Sequence, residues 1–468
     1  MPSSLPLLLR EHETAGGGCR LPNAVGRDRL RTLEFSNAKL IRSVHTGGVA
    51  ALDLDPVEQR YLLAGAGDAS IAVYDTQQPT PEAEAAAQAA ASEAARAEAA
   101  LAANARVLRP SAQAGAAAAN AEHTEHAALL SIGKTAPGAH RFSVSCVAWY
   151  PVDTGLFVSG GFDSEVKVWD TNTQHVVVSF SLSARVYAAA MSASAASHCL
   201  VTVGSGDTQV MLCDIISGGF THTLSGHRAA VWAVAWSPAS EWQLVTGGCD
   251  GQLRLWDIRR SGPLHIFNEH DTQQQRVPLG RGGGRREVAA RRDSGAAQLH
   301  LLWLDESQMP GPPRSPFPCS FHPSFGTWSL AGVVPTPNGL HWLSAGTDDR
   351  VRLWDAATYR HELVHFAGAY NRASRARQLA VSDDSSTLFH PSGSVVQMYD
   401  VGSGQLLRTL GGGHFDTINC CKWNPAAQEL YSGSDDCNIV VWAPAPERTR
   451  AERAEGQPAD SDGDAWSD

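Results

Sequence analysis

Four stretches of this chain place a histidine 22 or 23 residues before an aspartate: His45 and Asp68, His140 and Asp163, His227 and Asp250, His414 and Asp436. Hydroxyls such as Thr246 and Ser432 lie between them. Hydroxyl, imidazole and carboxylate are the parts of a nucleophilic triad. A triad is needed once per active site, whereas this pattern recurs, so its reading is structural. The aspartate sits in a tight turn and accepts from backbone N–H groups and from the histidine. The histidine reaches a strand hydroxyl and an aromatic residue further on. A buried polar chain of this kind must be satisfied throughout, and then it fixes the turn. No other residue pair is unique, clustered and spaced for acid–base work, and no metal-ligand run appears. His361 and His365 stand four apart with no third ligand nearby in sequence, and read as surface residues. The expectation is a chain that is not an enzyme and uses no cofactor or metal. Nine cysteines occur without CxxC spacing. An odd count, with Cys146, Cys199 and Cys421 in apolar runs, reads as reduced thiols of a cytosolic or nuclear protein.

The elements that must position these residues repeat. The clearest unit runs from Gly226 to Asp257 as GHRAAVWAVAWSPASEWQLVTGGCDGQLRLWD. It holds three short alternating runs separated by Ser-Pro and Gly-Gly-x-Asp turns, which is a β-meander. Other copies close at Tyr74, Trp169, Cys213, Trp256, Trp354, Tyr399 and Trp442, spaced by 95, 44, 43, 98, 45 and 43 residues. Four of these spacings match the ~40–45 residues of a WD repeat. An Asp stands six residues before the closing residue in six copies: Asp68, Asp163, Asp207, Asp250, Asp348 and Asp436. Gly393 takes that place before Tyr399. Seven copies predict an all-β fold, a seven-bladed WD-repeat β-propeller over residues 37–445. Phe35 to Val44 is expected to close the ring by joining the last blade.

The rest of the 468 residues lies outside the repeat. Residues 1–36 read as a short helix-loop-helix, one helix with Leu5, Leu8 and Leu9 on one side and a second from Asn23 to Glu34 with Leu30. Such helices do not fold alone; they either pack back on the propeller or dock on a partner groove. Residues 79–125 are Ala-rich and read as a loop expansion between blades one and two, or as a partner helix. Residues 262–323 hold a second insertion with Arg281, Arg285, Arg286, Arg291 and Arg292. It reads as a disordered loop, a basic segment for nucleic acid or nuclear import, or a retained intron. The tail, 446–468, carries six acids and one Arg from Glu452 onward, and reads as a disordered, solvating segment or, through Trp466, a linear peptide motif. A net charge of −11 argues against a general nucleic-acid coat and leaves direct DNA binding secondary. No apolar run approaches the ~20 residues of a membrane span, and Leu5 to Leu9 is too short for a signal peptide. The upper rim of the propeller, at Gly160 to Asp163 and near Tyr187 and Trp328, is a candidate binding surface.

Several strings are more specific than a generic WD repeat. HTGGVAALDLDPVEQRYLLAGAGD (45–68), WYPVDTGLFVSGGFDSEVKVWDTNT (149–173), WSPASEWQLVTGGCDGQLRLWDIRR (236–260), ELYSGSDDCNIVVW (429–442) and DAWSD (464–468) resemble Cockayne syndrome A proteins. These are WD-repeat substrate receptors of transcription-coupled nucleotide excision repair. The resemblance covers about three quarters of the chain and omits both insertions. It implies a non-catalytic subunit of a cullin-RING ubiquitin ligase in the nucleus. Residues 1–36 would dock on the ligase's three-propeller damage-binding adaptor and, through it, on cullin and RING subunits. Other partners would be a Cockayne syndrome B-type repair ATPase and stalled RNA polymerase II, with no membrane. It also implies adaptor contact through a WDxR box, Trp256-Asp257-Ile258-Arg259, supported by Asp250 and Leu255. Blades two and five read WDTN and WDAA, so the box is unique to blade four. Arg259 can bind an acceptor bidentately, or pair with an acid of its own blade. The adaptor-binding residues so implied are Leu5, Leu8, Leu9, Leu30, Asp257 and Arg259.

Overall fold

A computed structural model describes residues 29–36, 38–79, 124–267, 329–371 and 376–444. Its strands form seven sheets, antiparallel except for one parallel pairing in the last. Blade four is typical: Val231–Trp236, Gln243–Gly248, Leu253–Asp257 and Pro263–Phe267, counted from the inside outward. The inner strands are buried almost throughout, because each sheet is covered on both faces by its neighbours. The outer strand alternates between partly buried and exposed, as a half-covered strand does. Each of the seven apolar clusters joins two adjacent blades. In one, Leu200, Val210, Leu212 and Leu224 of blade three meet Val231, Trp236, Leu244 and Trp256 of blade four. The core is therefore a ring of interfaces, and no blade buries its surface alone.

The ring closes at the seventh blade. Leu33–Phe35 pairs antiparallel with Ile439–Pro444, with Leu33 opposite Pro444 and Phe35 opposite Trp442. Lys39–Ile41 adds to the same strand through Ile41 and Ile439, and pairs parallel with Thr124–His126. This bears out the expected closure and moves three boundaries. The second N-terminal helix does not reach Glu34: residues 29–31 are helical and Leu33 begins a strand. Leu33 is fully buried, and ladder bonds plus that burial outweigh a helix of marginal length. The Ala-rich insertion lies inside blade one, between Ile71–Asp75 and Ala128–Ile132, and Thr124 and Glu125 already belong to a strand. The second insertion does not start at 262. Pro263–Phe267 is blade four's outer strand, anchored by Phe267 against Trp354 with ring centroids 5.2 Å apart.

Strand direction defines two faces. The lower face carries the turns from first to second and from third to fourth strand, including Asp257 and the residues after it. The upper face carries the aspartate turns and the links between blades. Inside the ring, the Gln378 side chain reaches from the edge of blade six to blade one. It accepts from the Leu52 N–H at 3.1 Å and donates to the Leu52 carbonyl at 2.6 Å.

Candidate functional site: the lower face around Arg259

The repeated polar chain is closed within each blade. His227 Nδ1 lies 3.1 Å from each Asp250 oxygen, and its Nε2 lies 2.7 Å from Thr246 Oγ1. The Trp256 indole N–H donates to the same hydroxyl at 2.8 Å. Blade two repeats this with His140, Asp163, Ser159 and Trp169, and blade seven with His414, Asp436, Ser432 and Trp442. Ser159, Thr246 and Ser432 are fully buried, so no substrate reaches them. Burial raises the Asp250 carboxyl. Hydrogen bonds from His227, with its charge, and from the Arg228 and Gln252 amides outweigh that and hold it below the usual carboxylate range. A Cβ on Gly248 would stand 2.6 Å from both His227 Nδ1 and Asp250 Oδ1, so the turn needs glycine there.

The other blades depart in ways the sequence encodes. Where the third strand closes with Trp, a Ser or Thr sits ten residues earlier, because the indole N–H needs an acceptor. Trp354 thus donates to Ser344 at 2.9 Å. Where it closes with Tyr74, Cys213 or Tyr399, that place holds Ala64, Val203 or Phe389. Blade one therefore turns His45 toward Ser70, 2.6 Å away, and not toward Asp68. In blade five Asp348 pairs with Arg352 at 2.6 Å, and in blade three Asp207 accepts from Ser183. His361 packs edge-on against Trp354, with centroids 5.1 Å apart. Among the described residues no group of His, Cys, Asp and Glu could hold a metal ion, and no helix is long and apolar enough to cross a membrane. The seven cysteines among the described residues are free thiols; burial pushes Cys146 and Cys213 up to about 12.

The lower face of blade four is built differently. Asp257 ends the third strand, and its two carboxylate oxygens accept from Arg259 Nε at 3.0 Å and Nη2 at 2.8 Å. The Arg259 backbone N–H adds a third bond at 3.0 Å. The guanidinium lies over the Trp242 ring, 5.3 Å from its centroid. Arg259 holds the Asp257 carboxyl below its ordinary value, and Asp257 raises Arg259. Three hydrogen bonds and a ring contact thus hold the clamp, yet the Arg259 side chain is 57 % exposed. Behind it, His198 sits between Trp236 and Trp242, at 5.3 and 5.4 Å. Glu241 accepts from the Ala196 and Ser197 amides at 2.9 and 3.2 Å, stitching blade three to blade four. Ile216, 80 % exposed, stands on a neighbouring turn of this face, and Val57, Val152 and Leu340 project from others.

The implied site residues separate. Asp257 and Arg259 form one unit, and the acid that pairs Arg259 is the box's own Asp257. Leu30 does not face outward. It is 3 % exposed, packed in the cluster between blades six and seven with Leu33, Leu410 and Trp442. The side chain expected for a partner is occupied by the chain's own core. Leu5, Leu8 and Leu9 lie outside the described residues, as does Trp328. Leu30 enters beside Pro444, on the same face as Arg259 and three blades away around the ring. One feature escaped the sequence reading. Arg60 clamps Asp75 in blade one through Nε at 3.0 Å to both oxygens, and lies 5.2 Å over the Tyr61 ring. This clamp uses an arginine 15 residues before its aspartate, so no local pattern announces it.

Comparison with known proteins adds breadth. The family described as WD domain, G-beta repeat matches residues 134–170, 218–257 and 404–443. The chain is 35 % identical over 463 residues to the WD repeat-containing protein ATCSA-1 of Arabidopsis thaliana, covering 94 % of each chain. It is 34 % identical over 136 residues to the ribosome biogenesis protein WDR12 homolog of Chlamydomonas reinhardtii, 28 % of this chain and 30 % of that one. It is 24 % identical over 311 residues to the nuclear distribution protein nudF of Aspergillus niger, 61 % of this chain and 66 % of that one.

Proposed function

The chain belongs to the WD-repeat family of the Arabidopsis protein ATCSA-1, and on that premise we propose that it is a substrate receptor of a cullin-RING ubiquitin ligase acting in transcription-coupled excision repair in the nucleus. The observation that carries this reading is the Asp257–Arg259–Trp242 clamp, held rigid and exposed on the face where the N-terminal segment enters. A guanidinium already fixed by a carboxylate and an aromatic ring loses little freedom on docking. Its remaining N–H donors point the residue toward an acceptor on the ligase adaptor. The exposed aliphatic residues on the lower-face turns supply apolar contact around it. The propeller carries no chemistry in this reading. It holds a captured protein, such as the repair ATPase or the stalled polymerase, so that its lysines lie near a ubiquitin-loaded enzyme, which is catalysis by proximity.

The test is binding of the purified chain to the purified adaptor, with and without the N-terminal segment. The cut belongs before Arg29, because removing residues 1–36 would also strip Leu33–Phe35 from the closing blade. Tight binding that is lost on removing residues 1–28 supports the receptor. No binding by a folded full-length chain leaves a propeller scaffold of another nuclear complex.

A further inference from the structure

The upper face has an asymmetry that the adaptor reading does not use. The second residue of the inner strand differs in size from blade to blade, and in blades one to five it lines the central channel. In blades one, two, five and seven it is Ala50, Ser145, Ala331 and Asn419. In blades three and four it is Tyr187 and Trp232. These two rings lie 6.0 Å apart, and Phe162 from the adjoining aspartate turn meets Tyr187 at 5.6 Å. Both rings line the central cavity of about 630 Å³, which Arg377 and Gln378 border as well. Trp232 is 5 % exposed, and its indole N–H has no hydrogen-bond partner among the described residues. Around this aromatic half stand the exposed Arg141, Arg185 and Arg228, one from each of blades two, three and four, with Arg185 5.9 Å over the Phe162 ring. Phe142 beside them is 62 % exposed. The aspartates of the same blades are turned inward, holding their own turns: Asp163 binds His140, Asp250 binds His227 and Asp207 binds Ser183.

Cations interleaved with aromatic rings fit an acidic segment that carries an aromatic residue. The chain supplies one. From Glu452 its tail holds six carboxylates, one arginine and Trp466, in the run DSDGDAWSD. We propose that this upper-face platform is a docking site for the chain's own acidic tail, with Trp466 seated against Tyr187 and Trp232 and the flanking aspartates facing Arg141, Arg185 and Arg228. Reach permits it. Pro444 lies on the lower face, 22 residues before Trp466, and an extended chain covers about 3.3 Å per residue, or roughly 70 Å. A ring of this size is roughly 50 Å across, so the path over the rim to the centre is shorter than the tether. The inference concerns the face opposite Arg259 and stands whether or not the adaptor reading holds.

The ring closes on residues 33–41 and 439–444, so a chain ending at 445 keeps every described strand. A fluorescent peptide of residues 452–468 is titrated into that chain and into the full chain. Binding to the shortened chain is expected, at least about tenfold tighter than to the full chain, whose own tail competes at high effective concentration. Tyr187→Ala, or Arg141→Glu with Arg228→Glu, weakens binding about tenfold or more with an unchanged melting temperature, and added salt weakens it further. Three results overturn the proposal: no binding by a shortened chain that melts like the full one, equal binding by a Trp466→Ala peptide, or a short single-stranded DNA that binds the platform and is not displaced by the peptide.

Discussion

The indole N–H of Trp256 and the imidazole of His227 share one hydroxyl, Thr246 Oγ1, at 2.8 and 2.7 Å. The hydroxyl accepts from the tryptophan and still has a lone pair and a proton to offer the histidine. Asp250 completes the chain from the other side of the ring. Two strands, the turn between them and the link before the blade are thereby tied together through one buried oxygen. Blade four is expected to be as sensitive to this oxygen as to any apolar residue.

Thr246→Val keeps the shape and removes the oxygen. It leaves the Trp256 N–H and His227 Nε2 buried without their partner, each costing about 1–3 kcal/mol. Thr246→Val with Trp256→Phe removes a donor together with its acceptor, so the double variant is expected to lose less than the sum of the singles. Thermal unfolding of the three proteins checks this. Strict additivity would mean that the shared bond contributes nothing.

Asp250→Ala and Arg259→Ala separate stability from docking. Asp250 accepts from His227 and from the Arg228 and Gln252 amides, so its loss should cost about 1–3 kcal/mol or more and lower the melting temperature by several degrees. Arg259 is exposed and pairs with a residue two positions away. Its truncation should leave melting unchanged and weaken adaptor binding about tenfold. An equal fall in melting temperature for both variants would refute this division of roles.

Much of this architecture was legible because the repeat is written in fixed offsets. The closing aromatic, the aspartate six residues before it and the histidine further upstream all lie within one blade. What escaped lies between distant parts of the chain. Arg60 finds Asp75 across a hairpin, Gln378 finds Leu52 across the channel 326 residues away, and Leu30 finds the interface of blades six and seven. Pro263–Phe267 was missed for another reason. An outer strand is short and only half covered, so its alternation of Leu264 and Ile266 with Phe267 is weak beside the basic segment that follows. The adaptor-facing role of Leu30 was inferred from resemblance, and the apolar character that suggested a partner groove is satisfied by the chain itself.

Acidity should act in two stages. Burial drives the pKa of His45 and of His390 down to about 4. Each is neutral when folded, whereas the unfolded chain takes up their protons as pH falls below about 6.5. The unfolded state then binds more protons, so stability declines between about pH 6.5 and pH 4. Asp163, Asp250 and Asp436 add a second loss. Burial raises them, but hydrogen bonds from histidine and backbone amides hold them below the ordinary carboxylate range, and the stability they give is lost as pH falls through it. Melting temperatures measured from pH 7.5 to 4.5 should fall steadily. His390→Gln, which cannot titrate, should flatten the upper part of that slope; an unchanged slope would assign it elsewhere.

Arg60 and Arg259 test whether the box in the sequence or the clamp in space is what a partner reads. Both guanidiniums are fixed by the aspartate that ends a third strand, and both lie over an aromatic ring. They differ in presentation: 23 % of the Arg60 side chain is exposed, against 57 % for Arg259. A partner gains from donors it can reach and from freedom already surrendered, and only the first differs here. Arg60→Ala should therefore weaken adaptor binding less than Arg259→Ala. Moving the box, by Asn172→Arg in the WDTN of blade two, should not rescue Arg259→Ala, because blade two has Tyr150 and Pro151 on its turn and lacks the Trp236–His198–Trp242 stack behind the clamp. Surface-immobilised adaptor, the unmodified chain and the three purified variants decide it. Rescue by Asn172→Arg would show that the partner reads the local sequence, and that the stack is dispensable.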